Sequence, residues 1–226
     1  IGDTAYVIDV NNQDNYPLIN PRAPAFIHDV AISNAVLSET KVYEGNIVII
    51  NVTVENKGTY SETFNVTTFY DSNMIQTQTD ITLNPCMETA LTFSWNTSGA
   101  PGNHRISANA SIVYGEINIF DNVLVDGIAE VIVRKEIPVK GGENATIEGN
   151  VTITNAIVTK NALHFDASGP SGYTGWINVT FPMVNTTEIK VFINEVKLTP
   201  PPFPTITTNG THYFIYFEFP LSTHEI

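Results

Sequence analysis

Apolar and polar residues alternate along several stretches of the chain. The alternation has a period of two in residues 47–56, 62–70 and 105–113, where β-branched residues are frequent. Such a pattern is typical of a β-strand with one buried face. The predicted inward faces consist of Val48, Ile50, Val52, Val54, Phe64, Val66, Thr68, Tyr70, Ile106, Ala108, Ala110 and Ile112. No window longer than a turn has apolar residues at helical spacing, so the pattern predicts an all-β chain.

Turn-forming residues separate these runs. Segments rich in Gly, Pro, Asn and Asp occur at residues 44–46, 56–58, 71–73, 84–85 and 100–103. Short strands divided by turns about 8–12 residues apart favour a two-sheet sandwich or a barrel. We therefore predict an antiparallel β-sandwich over residues 26–135.

This stretch also resembles a known family. The segments that carry the likeness are HDVAI (28–32), VYEG (42–45), VTVENKG (52–58), LTFSWNT (91–97), PGNH (101–104) and Asp121-Asn122. They are similar to a CARDB module, an immunoglobulin-like sandwich that is frequent in archaeal surface proteins and named for cell adhesion. Cys86 departs from the family, since Gly is usual there, and so does His104, where an aromatic residue is more usual. Both are predicted to lie in turns.

Composition narrows the class of protein. The chain has 226 residues, a net charge of −13 and only one cysteine. The excess of acidic residues argues against nucleic-acid binding, which needs a positively charged surface. A single cysteine excludes an internal disulfide, and no apolar run is long enough to span a bilayer. Because the chain begins at Ile1 without a signal peptide, we interpret it as a segment of a longer product.

Residues 1–25 are predicted to form a separate N-terminal segment. Residues 4–10 have strand character, and a polar loop is expected at 11–15. IGDTAYVI (1–8) and DNYPL (14–18) resemble the tail of NosD-like right-handed β-helix proteins, although the acidic loop that often precedes Ile-Gly-Asp in that family is missing.

An oxygen-ligand calcium loop is one interpretation of the polar stretch, with Asp9, Asn11, Asn12 and Asp14 as ligands. The stretch lacks the Gly and the terminal Glu of a calcium-binding loop, so a solvated turn is the better interpretation.

The N-terminal strand would present Tyr6, Ile8 and Val10 on one face. A lone strand is not stable in water, because its backbone groups need partners. It therefore pairs with an upstream domain or with an open sheet edge of its own chain or of another copy. We predict that the first ten residues add as a strand to another subunit, a contact that can grow a filament.

A linker is predicted at residues 136–143. The stretch from residue 134 carries several cations, Pro138 and the pair Gly141-Gly142, a composition that favours a domain boundary.

Residues 144–226 are predicted to form a second β-sandwich in tandem with the first. Alternating runs recur at 151–154, 177–181, 191–193 and 213–219. SGPSGYTG (168–175), INVTFP (177–182) and STH (222–224) resemble a small β-sandwich found near the C-termini of archaeal envelope proteins, commonly just before a membrane anchor. The Pro-rich run at 199–204 favours a stiff connection over a polyproline II ligand.

The strongest chemical signal is the N-glycosylation acceptor N-x-[ST]. Its asparagines are Asn51, Asn65, Asn96, Asn109, Asn144, Asn150, Asn178, Asn185 and Asn209. Asn51, Asn65, Asn109 and Asn178 fall in the polar half of their strands, and we expect all nine asparagines to be on the surface. A glycan is bulky and needs such a position. We therefore predict covalent glycans at several of these sites.

Catalytic and metal-binding patterns are weak. His28, His104, His164, His212 and His224 show no H-x-x-x-H or H-E-x-x-H spacing, and none pairs with Cys86 in a metal-site pattern. We predict no catalytic residues, no metal site and no cofactor. Trp95 and Trp176 could stack on sugars, although packing is the better interpretation for Trp95.

Two classes of function remain. The chain is predicted to be a non-catalytic structural glycoprotein of the cell surface that associates with itself or with other surface-layer proteins. The alternative is an adhesion or carbohydrate-binding module of a larger surface protein or enzyme.

Overall fold

The computed structural model describes residues 6–9, 12–14, 26–140, 143–159, 162–183, 190, 192–193, 196–197 and 204–221. Their regular structure is entirely β, which confirms the predicted fold class. The strands are Tyr6–Asp9 (β1), Asn12–Asp14 (β2), Val30–Leu37 (β3), Lys41–Tyr43 (β4), Ile47–Asn56 (β5), Glu62–Tyr70 (β6), Asn73–Leu83 (β7), Glu88–Asn96 (β8), Gly102–Ala110 (β9), Val123–Ile137 (β10), Ala145–Gly149 (β11), Thr152–Val158 (β12), Leu163–Ser168 (β13), Thr174–Pro182 (β14), Phe192–Ile193 (β15), Val196–Lys197 (β16), Thr205–Thr208 (β17) and His212–Pro220 (β18).

The first sandwich consists of two sheets. One has the antiparallel order β3-β5-β8, and the other contains β7-β6-β9-β10. The short strand β4 pairs with β10 in parallel. Apolar side chains from both sheets meet in one core between them.

The period of two correctly assigns the buried faces of these strands. In β5, Val48, Ile50, Val52 and Val54 are fully buried, while Asn51 between them is exposed. The prediction for Ile112 is wrong. Strand β9 ends at Ala110, and Ile112 lies beyond it with 63% of its surface exposed.

The second sandwich has its own core. One face is the antiparallel run β10-β11-β14-β18-β17, and the hairpin β12-β13 packs across from it. The buried residues of this core are Val133, Ile137, Ile147, Val151, Ile153, Ile177, Val179, Ile215, Phe217 and Leu221. Two separate cores over these ranges agree with the predicted tandem arrangement.

Strand β10 belongs to both sandwiches. Val123 to Val131 pair with β9, whereas Val133 to Ile137 pair with β11. The linker predicted at 136–143 is therefore wrong for Glu136 and Ile137, which are strand residues. Arg134, Lys135 and Glu136 have the charged composition of a linker because their side chains are exposed, but their backbone is paired with β11.

The N-terminal strand is present but shorter than predicted. Tyr6–Asp9 pairs antiparallel with Asn12–Asp14, so the polar loop expected at 11–15 is wrong for residues 12–14. Val10, Asn11, the Pro-rich run at 199–203 and Asn185 lie outside the described residues.

Candidate functional site

The acceptor asparagines of the first sandwich lie on its outer surface. Asn51 and Asn65 are exposed in the middle of β5 and β6, and Asn109 is exposed one residue before the end of β9. Each has buried neighbours on either side in sequence. Asn96 is exposed at the end of β8. The predicted polar half of each strand is thus the solvent face.

The acceptor asparagines of the second sandwich differ in exposure. Asn144 and Asn209 are exposed in turns, and Asn178 is half-buried in β14. Exposure alone therefore leaves room for a glycan at six of the described acceptors, which are Asn51, Asn65, Asn96, Asn109, Asn144 and Asn209.

Four of the exposed acceptors share one side-chain geometry. In each, Oδ1 accepts a hydrogen bond: from Thr92 Oγ1 to Asn51 (3.0 Å), from the backbone N–H of Asp80 to Asn65 (3.0 Å), from that of Ser98 to Asn96 (2.9 Å) and from that of Thr211 to Asn209 (3.0 Å). Within the described part of the chain, Nδ2 of these four residues makes no hydrogen bond. An N-linked glycan joins Nδ2, so it would break none of the bonds that orient the amide.

The surface position expected for Asn150 is wrong. Its side chain is 1% exposed, at the start of the second core. Its Oδ1 accepts from the backbone N–H of Trp176 (2.8 Å), and its Nδ2 donates to the carbonyl of Thr174 (3.3 Å). Because the amide binds the backbone of β14 on both sides, Asn150 has no room for a glycan in the folded chain.

Three histidines, His28, His104 and His212, each lie beside a carboxylate. Nδ1 of His28 lies 2.6 Å from Glu62 Oε1, and Nδ1 of His104 lies 2.7 Å from Asp71 Oδ2. Nε2 of His104 also contacts the carbonyl of Ala100 at 3.0 Å, so both ring nitrogens are engaged.

The prediction that His104 lies in a turn is wrong. It lies in β9 and not in a turn, and it is buried against Tyr70 and Trp95 with its ring edge-on to both. It thus occupies an aromatic position of the core. Cys86 does lie in a turn, and its side chain is exposed.

Among the described residues, no three or more His, Cys, Asp or Glu side chains are grouped so that together they could hold a metal ion. The described part of the chain contains no helix with the length and apolarity needed to cross a bilayer.

The two tryptophans differ in how far their rings are exposed to solvent. Trp95 is 3% exposed and stacks on Tyr70, with 4.9 Å between ring centroids. Trp176 is half-buried and links the two sandwiches, since its Nε1 donates to Glu130 Oε1 of β10 at 2.6 Å. Lys41 Nζ lies 4.9 Å from the centre of the Trp176 ring and 2.9 Å from Glu130 Oε2.

A second polar contact crosses the same junction. Glu148 Oε1 of β11 accepts from Tyr43 Oη of β4 (3.2 Å) and from Arg134 Nη1 of β10 (3.0 Å). Sequence analysis missed both contacts, because partners such as Trp176 and Glu130 are 46 residues apart and share no motif.

Residues 28–112 match the CARDB family model. A similar solved structure is the CARDB domain of a Pyrococcus furiosus protein in complex with di-metal ions, with 23% identity, 48% of this chain and 96% of that chain covered, and a TM-score of 0.41. A domain of a suspected cell surface protein from Methanosarcina acetivorans has 23% identity, coverage of 46% and 92%, and a TM-score of 0.39. The β-glucosidase from Listeria innocua, in complex with glucose, has 13% identity, coverage of 46% and 16%, and a TM-score of 0.34. No curated protein matches the chain.

The family match is confined to the first sandwich. It begins just before β3 and ends shortly after β9. It reaches neither the N-terminal segment nor the second sandwich, so the NosD-like and C-terminal resemblances stay predictions. Residues 28–112 of this chain are thus similar to the CARDB family, and this match covers less than half of the 226 residues.

Proposed function

We propose that this chain is part of a non-catalytic, extracellular structural glycoprotein whose sandwiches pack into a cell-surface assembly. The observation that supports it best is the set of exposed acceptor asparagines on both sandwiches, four of which bind through Oδ1 and leave Nδ2 available. A CARDB domain agrees with a surface or adhesion-related role.

Mass spectrometry of peptides from the native protein tests the glycan part of the proposal. We expect sugar on several exposed acceptors, including one within a strand, such as Asn51 or Asn109. Asn150 is a control within the same chain, because it carries the same N-x-[ST] signal but is buried. Unmodified masses for every acceptor peptide, or sugar on Asn150 alone, would contradict the proposal.

The contact between subunits is proposed to involve the N-terminal strand. Tyr6–Asp9 pairs with Asn12–Asp14 on one side, and a two-stranded hairpin is at best marginally stable in water without further neighbours. Addition of this hairpin to a sheet edge of another copy would supply them, with main-chain hydrogen bonds as the source of affinity.

Deletion of residues 1–10 tests this contact. We expect the truncated chain to remain folded and monomeric in size-exclusion chromatography and electron microscopy, while the full chain forms higher-order species. Undiminished assembly by the truncated chain would show that the strand is not the contact.

The alternative carbohydrate-binding role has less support from the tryptophans. The ring of Trp95 is buried, and Trp176 is engaged by Glu130 and Lys41. Sugar stacking needs an accessible aromatic face.

A further inference from the structure

Three buried side-chain atoms in the described part of the chain have no hydrogen-bond partner. They are Asp29 Oδ1, Asp121 Oδ1 and Asn122 Oδ1. All three are oxygens, and buried polar atoms in folded proteins nearly always have a partner, which is otherwise a water or an ion. A shared chemistry at three unpartnered atoms calls for one explanation.

The three residues belong to one group of side chains, where the start of β3 meets the loop between β9 and β10. Asn122 Nδ2 donates to Glu116 Oε2 at 3.0 Å, and Glu116 Oε1 accepts from the backbone N–H of Val30 at 2.8 Å. The carbonyl of Asp121 accepts from the N–H of Ile32 at 2.8 Å. These bonds hold the loop against β3. Lys57 contacts both Asp29 and Asp121, since its backbone N–H donates to the carbonyl of Asp29 at 2.9 Å and its Nζ lies 3.0 Å from Asp121 Oδ2.

The group has an excess of negative charge. Burial and then the charge of Asp121 raise the pKa of the Asp29 carboxyl, and Glu116 and Glu55 act in the same direction. Lys57 opposes them with a single positive charge, and its Nζ lies 3.0 Å from Asp121 Oδ2. Lys57 therefore faces the carboxylates of Asp29, Asp121 and Glu55.

We propose that Asp29, Asp121 and Asn122 form a binding site for a divalent cation, with Ca²⁺ as the ion that their chemistry fits. Ca²⁺ takes carboxylate and amide oxygens in a flexible shell of 6–8 ligands, which backbone carbonyls and water complete. Mg²⁺ demands a stricter octahedral shell, and Zn²⁺ prefers nitrogen and sulfur ligands.

The burial of the three residues suits such a site. Asn122 is 2% exposed, and Asp29 and Asp121 are half-buried, with the unpartnered oxygen of each of the three residues shielded from solvent. The site uses two carboxylates and one amide, and so does not require a cluster of three acidic groups. A bound ion would hold β3 to the β9–β10 loop.

The test is a titration of CaCl₂ into the full chain after removal of metal with a chelator, at constant ionic strength. We expect one Ca²⁺ per chain with a dissociation constant on the order of 0.1–1 mM, as for extracellular calcium modules. The melting temperature should rise with Ca²⁺, because the ion binds only the folded chain. MgCl₂ at the same concentrations should raise it less.

Asp29→Asn separates ion binding from a purely structural role. The variant keeps the shape of the side chain and removes one negative charge from a group in which carboxylates outnumber lysine. It should therefore melt at about the same temperature as the wild type without metal, yet bind Ca²⁺ at least about tenfold more weakly. Asp121→Asn is a second variant with the same expected loss of affinity.

Glu39→Gln is the matched control. It removes one negative charge from an exposed residue beyond the other end of β3, and it should leave Ca²⁺ affinity unchanged. No saturable uptake up to about 10 mM, above the range of extracellular modules, would overturn the proposal. Equal affinity in the wild type and both site variants would overturn it too, since the ions would then only screen the net charge of −13.

Discussion

Cys86 holds a backbone conformation that glycine adopts more easily. Its φ is 59°, in the left-handed region, and its N–H donates to the carbonyl of Asn56 at 2.9 Å. A side chain in this region is strained by contact between Cβ and the backbone. The CARDB resemblance had placed Gly at this position, and the turn geometry gives the physical reason.

Cys86→Gly should therefore stabilise the first sandwich, by up to about 1 kcal/mol in the free energy of unfolding. Cys86→Ala keeps the Cβ and should differ from wild type by less than about 0.5 kcal/mol. Chemical denaturation of the three proteins measures both differences. A glycine variant no more stable than the alanine variant would mean that this turn is not strained.

Other residue roles were beyond sequence reasoning because their partners are distant in the chain. The burial of His104 depends on Tyr70 and Asp71, which are more than thirty residues away. The burial of Asn150 depends on the backbone of β14. The acceptor motif identifies a chemical possibility at Asn150, but only the fold decides whether the amide is accessible.

Single strands were the most predictable elements. Alternation depends only on neighbouring residues, and a strand with one buried face needs no further information to assign that face. The faces of β5 and β6 are confirmed on this basis, with Val66 and Thr68 buried as predicted. Strand ends and pairings depend on other elements, so Ile112 and the start of the linker were assigned wrongly.

Val52→Asp tests the face assignment of β5. Val52 is fully buried, and an unpaired carboxylate there should lower the free energy of unfolding by about 3 kcal/mol or more. Asn51→Asp, one residue earlier, puts the same group on the exposed face and should change it by no more than about 0.5 kcal/mol. Equal melting temperatures for the two variants would contradict the assignment.

At the scale of the whole molecule, the two sandwiches share more than a covalent connection. Strand β10 supplies Val131 to the first core and Val133 to the second, and one sheet continues through both. The Trp176–Glu130 contact adds a polar link beside it. A domain boundary after residue 135 assigns most of β10 to the first sandwich, although β11 of the second sandwich pairs with the end of that strand.

Fragments of the chain test this description of the boundary. A fragment of residues 133–226 keeps Val133 and Ile137 in the second core and should fold. A fragment of residues 144–226 loses both and leaves one edge of β11 unpaired, so it should be unfolded or aggregated. Circular dichroism and NMR amide dispersion distinguish the two states. Folding of the shorter fragment would show that β10 is dispensable to the second sandwich.

The shared strand also determines how the chain responds to tension. A pull applied at both ends passes from one sandwich to the other along β10, which is paired with β9 and β4 on one side of the junction and with β11 on the other. Antiparallel hydrogen bonds lie perpendicular to the strand, so tension along it shears many of them together instead of opening them one by one. A flexible linker would straighten under a small force. Here the junction resists extension, and the two sandwiches would move apart only when one of them unfolds.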